Sequence, residues 1–188
     1  MKNIQVWAAV LILVSAGADR ALAADGPKEA QAAMGLFLKA DSGLQKFIES
    51  AAGYAVFPEV TKGAIGIGAA HGGGCVYERG ALAGTASLTQ VTLGLALGGQ
   101  SYAEVIFFET PEALDSFKKS EMALSAQVSA VAAASGASSN AKYQLGVAVF
   151  TLARGGLMYE ASVGGQKFKF KPVAVVPASG KAVPPAAK

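Results

Sequence analysis

The stretch GAIGIGAAHGGG, residues 63–74, places six glycines in twelve positions. A dinucleotide-binding fingerprint requires G-x-G-x-x-G between a strand and a helix. In this stretch His71 stands where the third glycine would be, and no helix-forming segment follows. The P-loop motif G-x-x-x-x-G-K-[ST] does not occur in the chain. The sequence therefore predicts that these glycines do not form a phosphate-binding loop.

A β-strand explains the same stretch better. Alternation along a strand places Gly66 and Gly68 on one side and Ile65 and Ile67 on the other. The same pattern returns at residues 93–98, with leucines on one face and small residues on the opposite face. A glycine in a strand contributes no side-chain packing, so its presence indicates that another group approaches the backbone closely at that position. A helix laid across the sheet, a crowded barrel interior and an acyl chain are the three candidates.

The rest of the chain divides into helices and strands. Residues 28–40 have the apolar spacing of an amphipathic helix, and Asp41 or Ser42 is suited to cap a second helix that ends at Gly53. Thr110 followed by Pro111 predicts the start of a mid-chain helix. Six strands are predicted at 54–57, 64–70, 75–79, 83–88, 92–97 and 104–108, followed by two or three more within 143–152, 156–163 and 167–173, and the segment 123–141 is left unassigned.

Helices followed by consecutive strands are typical of the α+β class. We therefore expect a glycine-rich antiparallel sheet, curled or barrel-like, packed against N-terminal amphipathic helices and one mid-chain helix.

The two ends of the chain predict export and a single domain. Lys2, an apolar run over 4–18 and an A-L-A sequence ending at Ala23 are typical of a secretory signal, with a retained membrane anchor as the alternative. We expect one domain over 24–173 and a disordered Pro/Ala-rich tail over 174–188. The protein is then periplasmic, associated with the cell envelope, or secreted.

Composition excludes several classes of function. Removing Lys2, Arg20 and Asp19 from 16 basic and 13 acidic residues leaves 14 and 12, a net charge of +2. This balance argues against general nucleic-acid binding. His71 and Cys75 are single residues of their types, which excludes a disulfide within the chain and metal sites built from several such ligands. We expect no cofactor and no metal.

Three arrangements were considered for catalysis, and none is favoured. A Cys75–His71 nucleophilic pair would need a hairpin turn at 72–74, since an extended strand separates the two residues by about 13 Å. S-x-x-K at 116–119 lacks its K-T-G partner and predicts an exposed helix face instead. Four glutamates that acid–base chemistry might use are predicted to be solvated surface groups: Glu59, Glu78, Glu104 and Glu109.

The sequence KFKFK at 167–171 places three lysines on one face of a strand and Phe168 and Phe170 on the other. Two interpretations remain open. The ammonium groups attract anionic headgroups, at about 1 kcal/mol each near a charged bilayer. Alternatively, the lysines protect an edge strand against aggregation.

Taken together, these segments resemble the SYLF domain family. The resemblance rests on AAGYAVFPEVTKG at 51–63, SLTQVTLGLALGGQ at 87–100, EVIFF at 104–108 and ARGGLMYEASVGGQ at 153–166, in the family's order and spacing. It implies a non-catalytic module that binds anionic phospholipid surfaces; actin association is described for some fungal members. A structural or protein-interaction role in the envelope, without a lipid ligand, is the alternative.

The resemblance also implies where lipid binds. In the family, binding is attributed to an amphipathic N-terminal helix and to basic residues. The predicted lipid-binding residues, which include the lysine strand, are Met34, Phe37, Leu38, Lys39, Lys46, Lys62, Lys167, Lys169 and Lys171.

Overall fold

The computed structural model describes residues 26–120, 122–124, 131–132 and 134–173. The predicted signal segment and C-terminal tail lie outside these residues. The elements in chain order are α1 (Gly26–Ala40), a 3-10 turn (Ser42–Leu44), α2 (Gln45–Ser50), β1 (Gly53–Glu78), β2 (Ala81–Phe108), α3 (Pro111–Lys118), β3 (Ala123–Leu124), β4 (Val131–Ala132), α4 (Ala137–Asn140) and β5 (Val147–Pro172).

Three very long strands dominate the sheet, whose order is β1-β2-β5-β3, with β4 also paired to β5. β1, β2 and β5 pair antiparallel and β4 pairs parallel. The prediction of eight or nine short strands was wrong in its boundaries, because these segments merge into the three long strands. Glycine-rich segments that looked like turns continue as strands, and register shifts absorb the irregularities, as between Phe57 and Val60 and between Ile65 and Ile67.

The turn between β1 and β2 lies at Arg79 and Gly80, both with positive φ, of 51° and 79°. A hairpin turn at 72–74 is therefore absent, since these residues pair with 86–88 inside the strands. The α+β class with an antiparallel glycine-rich sheet is confirmed. Within the described residues the sheet stays open, with β1 at one end of the strand order and β3 at the other.

The sheet is strongly curled, so that the two halves of β1 meet. A Cβ added at Gly72 would lie 2.8 Å from the Glu59 carbonyl oxygen, and one at Gly74 would overlap the Val56 carbonyl oxygen and the Phe57 ring. Phe57 on β1 also contacts Phe168 on β5, with ring centroids 5.9 Å apart. Gly72 and Gly74 thus allow another part of the chain's own backbone to approach closely.

Two hydrophobic clusters cover the two faces of the sheet. On one face, which we name the α1 face, helix α1 packs mainly against β1, and Phe47 of helix α2 contacts Phe107 and Phe150, with ring centroids 5.5 and 5.2 Å away. On the other, the α3 face, Leu114 and Phe117 of helix α3 pack over Ile106, Phe108 and Phe168. Because successive strand residues point to opposite faces, neighbours such as Phe107 and Phe108 belong to different clusters.

Helix caps fix the elements at both ends of the sheet. Asp41 accepts a hydrogen bond from the Gly43 backbone N–H at 3.0 Å, and Thr110 accepts one from the Ala113 N–H at 3.3 Å. Both caps were predicted. Asp41 also accepts from the Ser138 N–H at 2.6 Å, which ties the α1–α2 junction to α4. The predicted second helix is shorter than expected, since a 3-10 turn precedes α2 and α2 ends at Ser50.

Candidate functional site

The α1 face of the sheet carries an exposed apolar patch beyond the area that α1 covers. It consists of Ile65 and Ile67 on β1 and Val91 and Leu97 on β2, which are 87%, 65%, 54% and 65% exposed. Ile65 pairs directly with Leu97, so these two side chains lie on the same face. The opposite side of this part of β1 is buried and small, through Ala64, Gly68 and Ala70. Exposed apolar patches mark binding surfaces more often than isolated exposed residues do.

Three lysines of β5 lie on the same face as the patch. Lys167 pairs with Thr89 of β2, and Val91, two residues farther along β2, pairs with Gly165. We call Lys167, Lys169 and Lys171 the lysine row. Its first residue, Lys167, lies one strand over from Val91 and two residues farther along, which is roughly 5 Å across the sheet and 7 Å along the strand. Lys167, Lys169 and Lys171 are exposed, whereas Phe168 is buried on the α3 face. The predicted alternation of KFKFK is confirmed, and an apolar and a basic surface lie side by side.

The apolar residues predicted on the N-terminal helix point inward. Met34 is 9% exposed and Phe37 is fully buried, and both belong to the cluster under α1. Leu38 is partly buried against the same cluster, while Lys39 is exposed. In this conformation Met34 and Phe37 hold α1 on the sheet, and their part in lipid binding stays a prediction.

The other two predicted lysines lie apart from the lysine row. Lys46 donates to the Ser138 carbonyl oxygen at 2.8 Å, and its ammonium group lies 5.3 Å from the centre of the Phe47 ring. Lys62 is only 6% exposed. It pairs with Gln100, and both residues line a cavity on the α3 face.

The arrangements considered for catalysis do not assemble. His71 is exposed and Cys75 is buried under α1, four residues apart in the same extended strand. Burial, with a smaller contribution from Glu29, raises the pKa of the Cys75 thiol, which disfavours the nucleophilic thiolate. In the S-x-x-K segment Phe117 is buried and Lys119 is exposed, as expected for a surface helix.

The prediction of surface carboxylates holds for most of the glutamates and is wrong for one. Glu59 and Glu109 are exposed, and Glu78 is ion-paired with Lys118, whose hydrogen bond lowers the pKa of the Glu78 carboxyl. Glu104, in contrast, is 1% exposed. Glu104 lies between Phe57 of β1 and Thr151 of β5, its partners on the α3 face, and this placement depends on strand pairing that the sequence of β2 alone does not show.

Glu104 lines a cavity of about 350 Å³ between β1, β2, β4 and β5. Gln166 donates to one carboxylate oxygen of Glu104 at 2.9 Å. The other oxygen is buried without a hydrogen-bond partner among the described residues. Desolvation raises the pKa of Glu104 to about 7, against the weaker opposing effect of the Gln166 bond. The wall is otherwise rich in amide and hydroxyl groups, contributed by Gln90, Gln100, Ser101, Tyr102 and Thr151.

Sequence reasoning missed both the apolar patch and the cavity. The alternation of isoleucine and glycine correctly separated the two sides of β1, but it did not show which side faces solvent. A signal for the cavity exists in the sequence, because Gln100, Tyr102 and Glu104 follow one another at spacing two in an otherwise apolar strand.

Part of the chain, towards its C-terminus, is similar to known proteins. Residues 89–173 match the Ysc84 family model, described as Las17-binding protein actin regulator, which corresponds to the SYLF domain. A protein named beta cell expansion factor A, from Aeromonas veronii, is 32% identical over 76 residues. The aligned part is 40% of this chain and 29% of that relative. The SYLF resemblance is thereby confirmed over the matched residues.

The described residues contain no helix with both the length and the apolar character that crossing a bilayer requires.

Proposed function

We propose, from the SYLF domain at residues 89–173, that this chain is a non-catalytic module that binds anionic phospholipid membrane surfaces. The observation that supports this most directly is the exposed apolar patch beside the lysine row on one face of the sheet. Export to the cell envelope, predicted from the N-terminal sequence, would place that face next to a membrane.

The two parts of this face contribute in different ways. Burying one exposed Leu, Ile or Val side chain in an apolar medium stabilises by about 1.5–3 kcal/mol, less where the side chain is already partly covered. A lysine near an anionic surface contributes about 1 kcal/mol. The four apolar side chains together therefore supply the larger and salt-independent share. The lysines supply the preference for anionic lipid and the sensitivity to salt.

Co-sedimentation with vesicles tests the proposal. The wild-type protein is mixed with phosphatidylcholine vesicles, with or without phosphatidylglycerol, at low and at physiological salt. We expect more protein in the pellet with the anionic vesicles, and a decrease as salt rises. Equal recovery in the supernatant with both vesicle types would reject lipid binding.

Substitution of the lysine row measures how much these three lysines contribute to vesicle binding. K167Q/K169Q/K171Q should lower binding to anionic vesicles by about tenfold or more and remove most of the salt dependence. The matched control is K28Q/K119Q/K142Q, which removes the same charge from three exposed lysines elsewhere. If both triple variants lose binding equally, net charge rather than the lysine row attracts the membrane.

Substitution of the patch tests the apolar contribution. I65S/V91S/L97S should weaken binding at every salt concentration, because the lost contribution does not depend on charge. The control L36S/L145S changes two other exposed apolar residues, 44% and 78% exposed. If I65S/V91S/L97S binds vesicles as well as the wild-type protein does, the membrane contact is electrostatic and the apolar patch does not contribute.

A protein partner is the alternative, because an exposed apolar patch beside charged residues also fits a protein interface. The matching family model is described as a Las17-binding protein. Failure of vesicle binding, together with solution self-association or partner capture that I65S/V91S/L97S abolishes, would favour this alternative.

A further inference from the structure

The cavity around Glu104 lies on the α3 face, away from the surface assigned to membranes. Its volume of about 350 Å³ is at the small end of ligand-binding sites. Ala153 and Gly155 in its wall are exposed, so the cavity is open to solvent on the β5 side. Its polar wall distinguishes it from the apolar core below, to which Leu88, Ile106 and Phe168 belong.

Glu104 is the feature that points to a ligand. A buried carboxyl group is costly unless it is paired or fully hydrogen-bonded. Here Gln166 satisfies one oxygen, and the second has no partner among the described residues. Tyr102 donates its hydroxyl hydrogen to Gln90 at 3.3 Å. The second oxygen of Glu104 thus remains an acceptor in the cavity wall.

We propose that this cavity binds a small molecule with an ammonium group, free or as a lipid headgroup, and that this ammonium group donates to the unpartnered oxygen of Glu104. An ammonium group supplies both a donor and the positive charge that a buried carboxylate lacks, whereas a hydroxyl group supplies only a donor. Thr151 and Gln100 in the same wall carry oxygens that can accept the remaining ammonium hydrogens.

Charge in the described wall is limited to two residues. Lys62 lines the same cavity and is 6% exposed, so the described wall contains one basic and one acidic residue. The other residues of the described wall are uncharged, apart from the ionisable hydroxyl of Tyr102.

Binding should depend on pH, because Glu104 must be ionised to pair with an ammonium group. The titratable groups that share its cavity are Lys62 on β1 and Tyr102 on β2, and the residues contributed by β4 and β5 are uncharged: Ala132, Thr151, Ala153, Gly155 and Gln166. With the pKa of Glu104 at about 7, the ionised fraction rises roughly thirtyfold between pH 5.5 and pH 8. Affinity should rise by a similar factor.

Titration of the whole chain with a matched pair of probes tests this inference. Taurine carries an ammonium and a sulfonate group, and isethionate replaces the ammonium group by a hydroxyl group. Isothermal calorimetry, with NMR shifts as a second readout, should detect taurine binding in the millimolar range or tighter, and at least tenfold weaker isethionate binding. E104Q should lose taurine binding at least tenfold, while E59Q, which changes an exposed glutamate, should bind normally.

Several results would overturn the inference: equal binding of the two probes, unchanged binding by E104Q, absence of binding in the wild-type protein, or an affinity independent of pH. The wild-type pH profile keeps the test valid even if E104Q folds poorly. Competition between taurine and phosphatidylethanolamine vesicles, with phosphatidylcholine vesicles as control, distinguishes a lipid headgroup from a free molecule. K167Q/K169Q/K171Q and I65S/V91S/L97S should bind taurine normally, so this inference and the proposed membrane function fail independently.

Discussion

At the scale of single residues, the space around each glycine determines its role. Gly74 faces the Val56 carbonyl oxygen and the Phe57 ring so closely that a Cβ atom has no room. Gly63, in the same strand, has no heavy atom within 4 Å of the position a Cβ would take. Glycines that look equivalent in the sequence therefore contribute differently to the fold.

This difference leads to a paired prediction. Gly74→Ala should lower the free energy of unfolding by about 1–3 kcal/mol, because the added methyl group forces the two halves of β1 apart. Gly63→Ala should be neutral or slightly stabilising, because alanine orders the unfolded chain without a clash. Urea unfolding followed by circular dichroism measures both, and equal effects would show that the halves of β1 do not meet at Gly74.

Glu104 makes stability depend on pH. Burial raises the pKa of Glu104 in the folded protein to about 7 from its ordinary value of 4.5, so folding favours the protonated form. The folded state is therefore penalised as pH rises from about 4.5 to 7, by an amount on the order of 3 kcal/mol above that range. Glu104→Gln removes the penalty.

We expect Glu104→Gln and the wild-type protein to have similar stability at pH 4.5, and the variant to be more stable at pH 8. Urea unfolding at both pH values measures the difference. A variant that is less stable than the wild-type protein at pH 8 would show that other groups in the folded protein stabilise the ionised Glu104 carboxylate.

At the scale of elements, α1 is an amphipathic helix whose apolar side is occupied by the sheet. Phe37 is fully buried, while Leu36, its neighbour in sequence, is 44% exposed. The spacing of apolar residues predicted the helix and its buried side, since the same pattern that suits a membrane surface also suits a protein core.

Substitutions in α1 distinguish these two roles. Phe37→Ala should lower the free energy of unfolding by about 3–5 kcal/mol through the cavity it leaves, and Leu36→Ala should change it by less than about 1 kcal/mol. Thermal unfolding measures both. If Phe37→Ala leaves stability unchanged but abolishes vesicle binding, α1 leaves the sheet and acts at the membrane.

The strands show how far sequence reasoning reached. The apolar runs located β1, β2 and β5, and the alternation of KFKFK assigned faces to Lys169 and Phe168 correctly. Their continuity was missed, because glycine and proline, as at Pro58, normally indicate strand ends. Register shifts depend on the partner strand, so neither the shift near Phe57 nor the burial of Glu104 can be read from one strand alone.

At the scale of the whole molecule, the fold depends on pairing between distant parts of the chain. Gly84 pairs with Pro172 and Gly53 with Phe108, so strand ends far apart in sequence must meet before the sheet is complete. Chains dominated by such contacts fold in milliseconds to seconds.

We accordingly expect this protein to refold in milliseconds to seconds. Stopped-flow dilution from urea, with tyrosine fluorescence as the signal, measures the rate. A microsecond phase that accounts for the full amplitude would contradict the expectation, because local helix formation alone is that fast.

β1 runs without interruption through parts of the sheet that are covered to different degrees. Near Val56 at its start and near Cys75 towards its end, helices and side chains shield both faces, whereas around Ile65 in the middle the α1 face is exposed. Backbone amides along this single strand should therefore exchange with deuterium at different rates, slowest in the two covered segments, where global unfolding is required, and fastest near Ile65. Lipid bound to the exposed middle segment would slow that fast exchange, and the difference in rate between the middle of β1 and its two ends would become smaller.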